Sequence, residues 1–96
     1  MPMNNGSAQI RHNEAAQRFE TTINGKLSHA DYRLRDGVMH MVHTEVPVLQ
    51  EGRGIAATLV RAALEHARAQ GYKVRPACSY VRAFMARHRE FDDLRG

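Results

Sequence analysis

The sequence predicts an α+β domain with a mixed sheet, in which an antiparallel meander of three strands is followed by a β-α-β crossover and a C-terminal helix. Three observations predict this order. Two dipeptides typical of tight hairpin turns, Asn24-Gly25 and Asp36-Gly37, separate segments in which apolar residues alternate. Residues 55–67 then have the apolar period of a helix. A second short strand pattern follows at residues 72–78.

The three strands of the meander differ in how their apolar residues are distributed. Residues 17–23 and 26–35 alternate, which predicts half-buried strands, and the third strand, residues 38–46, is apolar on both faces. A strand of that kind usually lies at the centre of a sheet with cover on both sides, and we expect this position for it. The shared core faces are predicted to be Phe19, Thr21 and Ile23 in the first strand and Ala30, Tyr32 and Leu34 in the second.

The second half of the chain predicts the crossover. Gly71 is placed to end the long helix, and a helix between two strands implies a right-handed connection that makes those strands parallel. Pro76 has no N–H to donate, so the last strand must be an edge strand or must part from its neighbour. Ser79 is predicted to cap a final helix, and Phe91 with Leu94 predicts one more turn folding back.

Composition and charge limit the classes of protein. The chain has 96 residues, of which 43% are hydrophobic and 25% charged, values typical of one globular domain. We expect residues 1–12 to form a disordered tail, residues 13–96 to form the single domain, and neither a signal peptide nor a membrane span to be present. The single cysteine, Cys78, favours a reducing compartment, by default the cytoplasm, and the net charge of +4 favours an anionic partner. Oligomeric state, monomer or homodimer, is left open.

The junction between the third strand and the long helix contains a glycine-rich turn, Gly52-Arg53-Gly54. Two glycines at the start of a helix, where backbone N–H groups lack partners, are typical of a phosphate-binding turn. The letters also fit a dinucleotide fingerprint, but the antiparallel strands before it and the missing acidic residue about 20 positions later argue against that fold. A Walker A motif is absent, and a turn with no ligand at all stays an alternative.

In this context the chain resembles the GNAT superfamily of N-acetyltransferases, and in particular its minimal single-domain group. The resemblance covers roughly residues 17–95, and it rests on three segments: His43-Thr44-Glu45-Val46-Pro47, Glu51-Gly52-Arg53-Gly54-Ile55-Ala56, and Arg75-Pro76-Ala77-Cys78-Ser79-Tyr80-Val81. The superfamily carries R/Q-x-x-G-x-G/A at this turn. Here Gly54 and Ala56 fit, and Glu51 departs from the first position.

The resemblance implies acetyl-CoA as co-substrate. It implies that two parallel strands part and hold the pantetheine arm between them. The implied cofactor contacts are Val46 and Val48 for pantetheine and Gly52, Arg53, Gly54, Ile55 and Ala56 for the pyrophosphate. The acceptor is then a primary amine of a small molecule or a peptide, whose identity the sequence does not reveal.

Direct acetyl transfer requires a proton acceptor for the amine and a proton donor for the departing thiolate. His43 and Glu45, two residues apart on a strand, share a face and are candidate proton acceptors. Cys78 and Tyr80 are candidate donors, and an acyl-enzyme on Cys78 is a further alternative. Each of these side chains also has an ordinary structural role open to it.

Other functions stay open as alternatives. A module that binds CoA without catalysis fits the same residues. A basic nucleic-acid-binding domain fits the net charge, but neither an aromatic platform nor a recognition-helix pattern accompanies it, and the basic run Arg82, Arg87 and Arg89 is typical of a solvated helix face. His40 and His43 are an odd number of residues apart, so without a bulge they face opposite ways, and we predict no metal site.

Overall fold

A computed structural model describes residues 9–96. Five strands form one sheet in the order β1-β2-β3-β4-β5, and two helices pack on it. The elements are β1 (Arg11–Asn13), β2 (Arg18–Ile23), β3 (Lys26–Arg35), β4 (Val38–Glu45), α1 (Ile55–Gln70), β5 (Lys73–Pro76) and α2 (Ser79–Arg87), with 3-10 turns at Val48–Gln50 and Arg89–Leu94. The first four strands pair antiparallel and β5 pairs parallel to β4, which confirms the predicted mixed sheet.

Both predicted hairpin turns have the backbone that their sequences indicate. Asn24 and Gly25 have φ values of 52° and 74°, and Asp36 and Gly37 have values of 52° and 76°. Two consecutive residues with positive φ define the type I′ turn, whose twist matches that of the strands it joins. The local sequence therefore indicates the two turns that join β2, β3 and β4.

Strand β1 is an element that the sequence analysis did not predict. Its residues Arg11 and His12 fall in the predicted tail, of which residues 1–8 lie outside the described part, and they pair with Glu20 and Phe19 of β2. The tail boundary at residue 12 is thus too late. The turn before β2 places Gln17 at a φ of 54°, a conformation for which glutamine gives no sequence signal.

All of the buried strand residues face the helices. They are Phe19, Thr21, Ser28, Ala30, Tyr32, Met39, Met41 and Val74, and they pack with α1, α2 and the final 3-10 turn. The alternate positions of β2–β5 form a face on which no residue is buried, and we call it the open face. The expectation that β4 is covered on both sides is therefore wrong, because both helices lie on the same side of the sheet.

Helix α1 is closed as predicted. Gly71 has a φ of 76°, and the N–H of Tyr72 donates to the carbonyl oxygen of Ala67 at 2.8 Å. Helix α2 begins one residue earlier than predicted, because Cys78 and not Ser79 occupies the capping position. In the range 9–96 no helix is long and apolar enough to cross a membrane.

Candidate functional site

A cavity of about 460 Å³ lies where β4, the glycine turn and the first turns of both helices meet. That volume is within the range of small-molecule sites. The cavity is lined by Thr44, Val46, Gln50, Glu51, Gly52, Gly54, Ile55, Ala56, Ala57 and Tyr80. Six of these residues belong to the sequence-predicted site, so the fold brings the predicted phosphate turn and the predicted gap together.

The start of α1 leaves its amide groups free for an anion. Gly54 occupies the capping position with a φ of 76°, no side chain caps the first N–H groups, and the first turn holds no acidic residue. Gly52 has a φ of 83°. A Cβ at either glycine would meet no atom within 4 Å, so the requirement for glycine here is backbone conformation. The positive end of a 16-residue helix thus faces the cavity without a capping side chain from residues 9–96.

Gln50 anchors this turn to the sheet, and the sequence analysis missed it. Its side chain is 5% exposed, and its Nε2 donates to the carbonyl oxygen of Ile23 at 2.8 Å. Its Oε1 is buried without a partner among the described residues. The contact joins residues far apart in the chain, so no local pattern could have revealed it.

A bulge in β4 determines which side chains reach the cavity. Tyr32 pairs with Met41 and Asp31 pairs with His43, which leaves Val42 without a partner. The extra residue reverses the alternation, so that Thr44 and Val46 continue the buried face of Met41. The next odd-numbered residues, His43 and Glu45, lie on the open face.

Strand β5 leaves β4 at the same level. The last residue pair is Met41 with Pro76, and the N–H groups of Ala77 and Cys78 both donate to the carbonyl oxygen of Met41, at 3.0 and 2.9 Å. Beyond this point β5 has no further pairs with β4. The prediction that Pro76 marks an edge strand parting from its neighbour is confirmed, and the gap opens beside Thr44.

The two candidate proton acceptors are adjacent, as their spacing predicts. His43 Nε2 lies 3.0 Å from Glu45 Oε1, and the two side chains are 54% and 63% exposed. The hydrogen bond from His43, followed by the charge of His29, lowers the pKa of Glu45. His29, which the sequence analysis gave no role, also bonds Asp31 at 2.7 Å between Nδ1 and Oδ1. This pair lies on the open face and does not line the cavity.

The two candidate proton donors lie on the helix side of β4. Partial burial alone would raise the pKa of the Cys78 thiol. Hydrogen bonds from the Val81 N–H, the Thr44 hydroxyl and further backbone amides have the larger, opposite effect, so the pKa of Cys78 is lowered. The Cys78 Sγ lies 3.6 Å from Thr44 Oγ1. Burial raises the pKa of Tyr80, which lines the cavity.

Two predicted cofactor contacts have positions different from those expected. Val48 is not on the strand, because β4 ends at Glu45 and Pro47 precedes a 3-10 turn, and its side chain is 79% exposed. Arg53 is exposed between the two glycines and does not line the cavity.

The described residues contain no group of three or more His, Cys, Asp or Glu side chains arranged to hold a metal ion. The parity prediction for His40 and His43 applied to a strand without a bulge, and the bulge puts both on the same face. Their separation along the strand, and not their direction, keeps them apart.

Comparisons with known proteins agree with this geometry. A model of the GCN5-related N-acetyltransferase family matches residues 18–94. The chain is 29% identical to protein NATD1 of Mus musculus over 84 residues, covering 83% of this chain and 76% of the relative. It is 30% identical to protein NATD1 of Gallus gallus over 81 residues, covering 80% and 73%.

Among solved structures, the chain is similar to a GCN5-like protein from Staphylococcus aureus determined by NMR in solution. The TM-score is 0.69 at 23% sequence identity, with 93% of this chain and 88% of that chain covered. This likeness shows a shared fold. Together with the family match over most of the chain, it establishes that the chain belongs to the GCN5-related N-acetyltransferase family.

Proposed function

We propose that this protein transfers the acetyl group of acetyl-CoA directly to a primary amine. The observation that carries the proposal is the uncapped start of α1, which opens onto the cavity where β4 and β5 part. Free amides at a helix start suit a pyrophosphate, and a strand edge left unpaired suits an amide-containing arm such as pantetheine. The residues present therefore fit the co-substrate that the family uses.

The residues that would hold CoA divide into two groups. The backbone N–H groups of Gly52, Gly54, Ile55 and Ala56 would bind the pyrophosphate, with Arg53 reaching the phosphates from solvent. Val46, which follows β4 and lines the cavity, would contact the pantetheine arm. Val48, which is exposed in the 3-10 turn, would be the second contact. Acetyl-CoA supplies an activated acetyl thioester, and the protein supplies position and proton transfer.

The two faces of β4 suit the two proton transfers of the reaction, one from the attacking amine and one to the departing thiolate. Glu45 is a carboxylate at neutral pH and would take the proton of the attacking amine directly or through His43. Tyr80 carries its proton at neutral pH, and its position in the lining of the cavity suits it to protonate the thiolate on that side. A nitrogen–carbon bond forms, the carbon–sulfur bond breaks, and one proton moves at each face.

The test of CoA binding uses the two glycines at the ends of α1, which share a φ of 76°. Gly54→Asp places a carboxylate at the phosphate turn, and Gly71→Asp causes the same backbone strain about 24 Å away. Calorimetry should show loss of CoA binding for Gly54→Asp and unchanged binding for Gly71→Asp. Equal affinities of the two variants would contradict a phosphate site at this turn.

A second function, CoA binding without catalysis, is favoured by one observation. The predicted proton acceptors are more than half exposed and lie on the face opposite the cavity. A spectrophotometric assay of CoA release with a panel of primary amines separates the two functions. Turnover that falls at least about 100-fold in Glu45→Gln supports the transferase, and tight CoA binding with no turnover supports the binding module.

A further inference from the structure

The open face next to the gap has an unusual distribution of charge. Arg33, His40 and Arg75 are direct neighbours across β3, β4 and β5, and Arg35 and Lys73 flank them in the next row. Cross-strand partners share a face, and the buried residues between them establish that this is the open one. We call these five residues the basic patch.

No acidic side chain of residues 9–96 forms an ion pair with the Arg and Lys residues of the basic patch. Arg33 and Lys73 donate only to main-chain oxygens, those of Tyr32 and Asp93, and Arg75 donates to the main-chain oxygen of Gly96. On the helical side, Arg61, Arg68 and Arg89 form ion pairs with Glu90, Asp93 and Asp92, whereas Arg82 and Arg87 of α2 form none among the described residues. The basic patch is therefore a group of neighbouring positive charges that no described acidic side chain neutralises.

The basic patch lies beside the candidate proton acceptors. His40 and Arg75 form the pair directly before Met41 and Pro76, where the strands part, and His43 and Glu45 follow on the same face of β4. The distance along the strand from His40 to Glu45 is roughly 16 Å at the usual rise per residue, and the long side chains of the patch arginines and of Glu45 can each extend over part of it. A short molecule could thus reach both places at once.

The two places attract opposite charges. Around the acceptors, Glu45 and Asp31 are carboxylates, with Asp31 held by Arg18 at 3.2 Å. An ammonium group is attracted to Glu45, and a carboxylate or phosphate is attracted to the forked donors of Arg33 and Arg75. An alkylamine without an acidic group would use only the first of these contacts.

We propose that the acceptor is a small anionic amine, a primary amine that carries a carboxylate or phosphate group a few bonds from its nitrogen. The basic patch binds the anionic group and Glu45 receives the amine. This inference rests on the proposed transferase function. It adds to that function a substrate class and two specificity-determining residues, Arg33 and Arg75.

The test compares matched acceptors in the CoA-release assay. The members that carry an anionic group are γ-aminobutyrate, ε-aminocaproate and phosphoethanolamine, called anionic amines here. Their partners without such a group, called neutral partners, are butylamine, hexylamine and ethanolamine. We expect kcat/KM to be at least about tenfold higher for an anionic amine than for its partner at low salt, an advantage that declines as salt is added. Comparison of the two amino acids with phosphoethanolamine shows whether the basic patch prefers a carboxylate or a phosphate group.

The variant that carries the test is Arg33→Gln with Arg75→Gln. Both residues are exposed, so the fold should tolerate the change. The double variant should lose the preference for anionic amines while retaining neutral-amine turnover and CoA affinity. Lys26→Gln, an exposed cation in the β2–β3 hairpin, is the control for removal of a positive charge far from the patch.

Three results would overturn the inference. Equal kcat/KM for anionic and neutral partners, or an anionic preference that survives in the double variant, refutes the basic patch and leaves the transferase standing. CoA binding without turnover of any acceptor refutes the transferase itself, and the substrate class with it. Measuring CoA affinity alongside turnover keeps these failures distinguishable.

Discussion

Replacing Glu51 by glutamine is expected to tighten CoA binding. Glu51 lines the cavity at the turn, in the position where the superfamily motif has Arg or Gln, and it is exposed and without an ion pair among the described residues. An acidic side chain there repels the phosphates that the amides attract. The Glu51→Gln change removes that repulsion and leaves the side-chain volume almost unchanged.

The magnitude follows from the charges. Two phosphate charges roughly 7 Å from the carboxylate repel it by about 1 kcal/mol in water. Screening leaves about 0.5 kcal/mol of this at physiological salt and about 0.9 kcal/mol at about 0.01 M salt. Glu51→Gln should therefore lower the Kd for CoA about twofold at physiological salt and about fourfold to fivefold at low salt.

The assay is calorimetry of CoA binding at both salt concentrations. Glu65→Gln is the matched control, because that exposed residue lies about 15 Å further along α1 than the start of the helix. Pantetheine, which carries no pyrophosphate, is the ligand control and should bind the Glu51→Gln variant as it binds the wild type. An unchanged Kd for CoA, or a gain that does not depend on salt, would refute the placement of Glu51 beside the pyrophosphate.

Three further predictions concern single side chains. Gln50→Ala should lower the free energy of unfolding by about 1–2 kcal/mol and the Tm by about 5–10 °C, because the carbonyl of Ile23 loses its donor. Thermal unfolding tests this, with Gln70→Ala as the control at an exposed site. An unchanged Tm in Gln50→Ala would rule out the anchoring role. The rate at which Cys78 reacts with iodoacetamide should rise with pH with a midpoint below the usual thiol pKa, because the pKa of Cys78 is lowered, and bound CoA should protect the thiol. Mass spectrometry measures the reaction at this single thiol of the chain. A midpoint at or above the usual thiol pKa would contradict the lowered pKa. Burial, followed by the charge of His66 and opposed by Glu14, lowers the pKa of His12. The unfolded chain then binds more protons than the folded one, so stability should fall as pH drops below about 6.5. Urea titrations of wild type and His12→Phe between acidic and neutral pH should show a flatter profile for the variant, and identical slopes would refute the assignment.

Features that depend on neighbouring residues were predictable from the sequence. The turns Asn24-Gly25 and Asp36-Gly37 favour positive φ by themselves, the apolar period of α1 is local, and Pro76 lacks an N–H in any fold. These features determined the meander, the crossover and the point at which β5 leaves β4. The glycine turn followed from them as the start of a helix facing a gap.

Features that depend on distant residues were decided by the tertiary structure. The bulge at Val42 arises from pairing with β3, and it alone places Thr44 in the cavity and Glu45 on the open face. The Gln50 anchor depends on a carbonyl in β2, and β1 depends on a positive φ at Gln17 that no residue preference indicates. The sequence by itself indicated the two hairpins, the crossover and the turn at which we propose that a phosphate binds. The sheet pairing decided which face each side chain joins, because one extra residue in a strand reverses every direction after it.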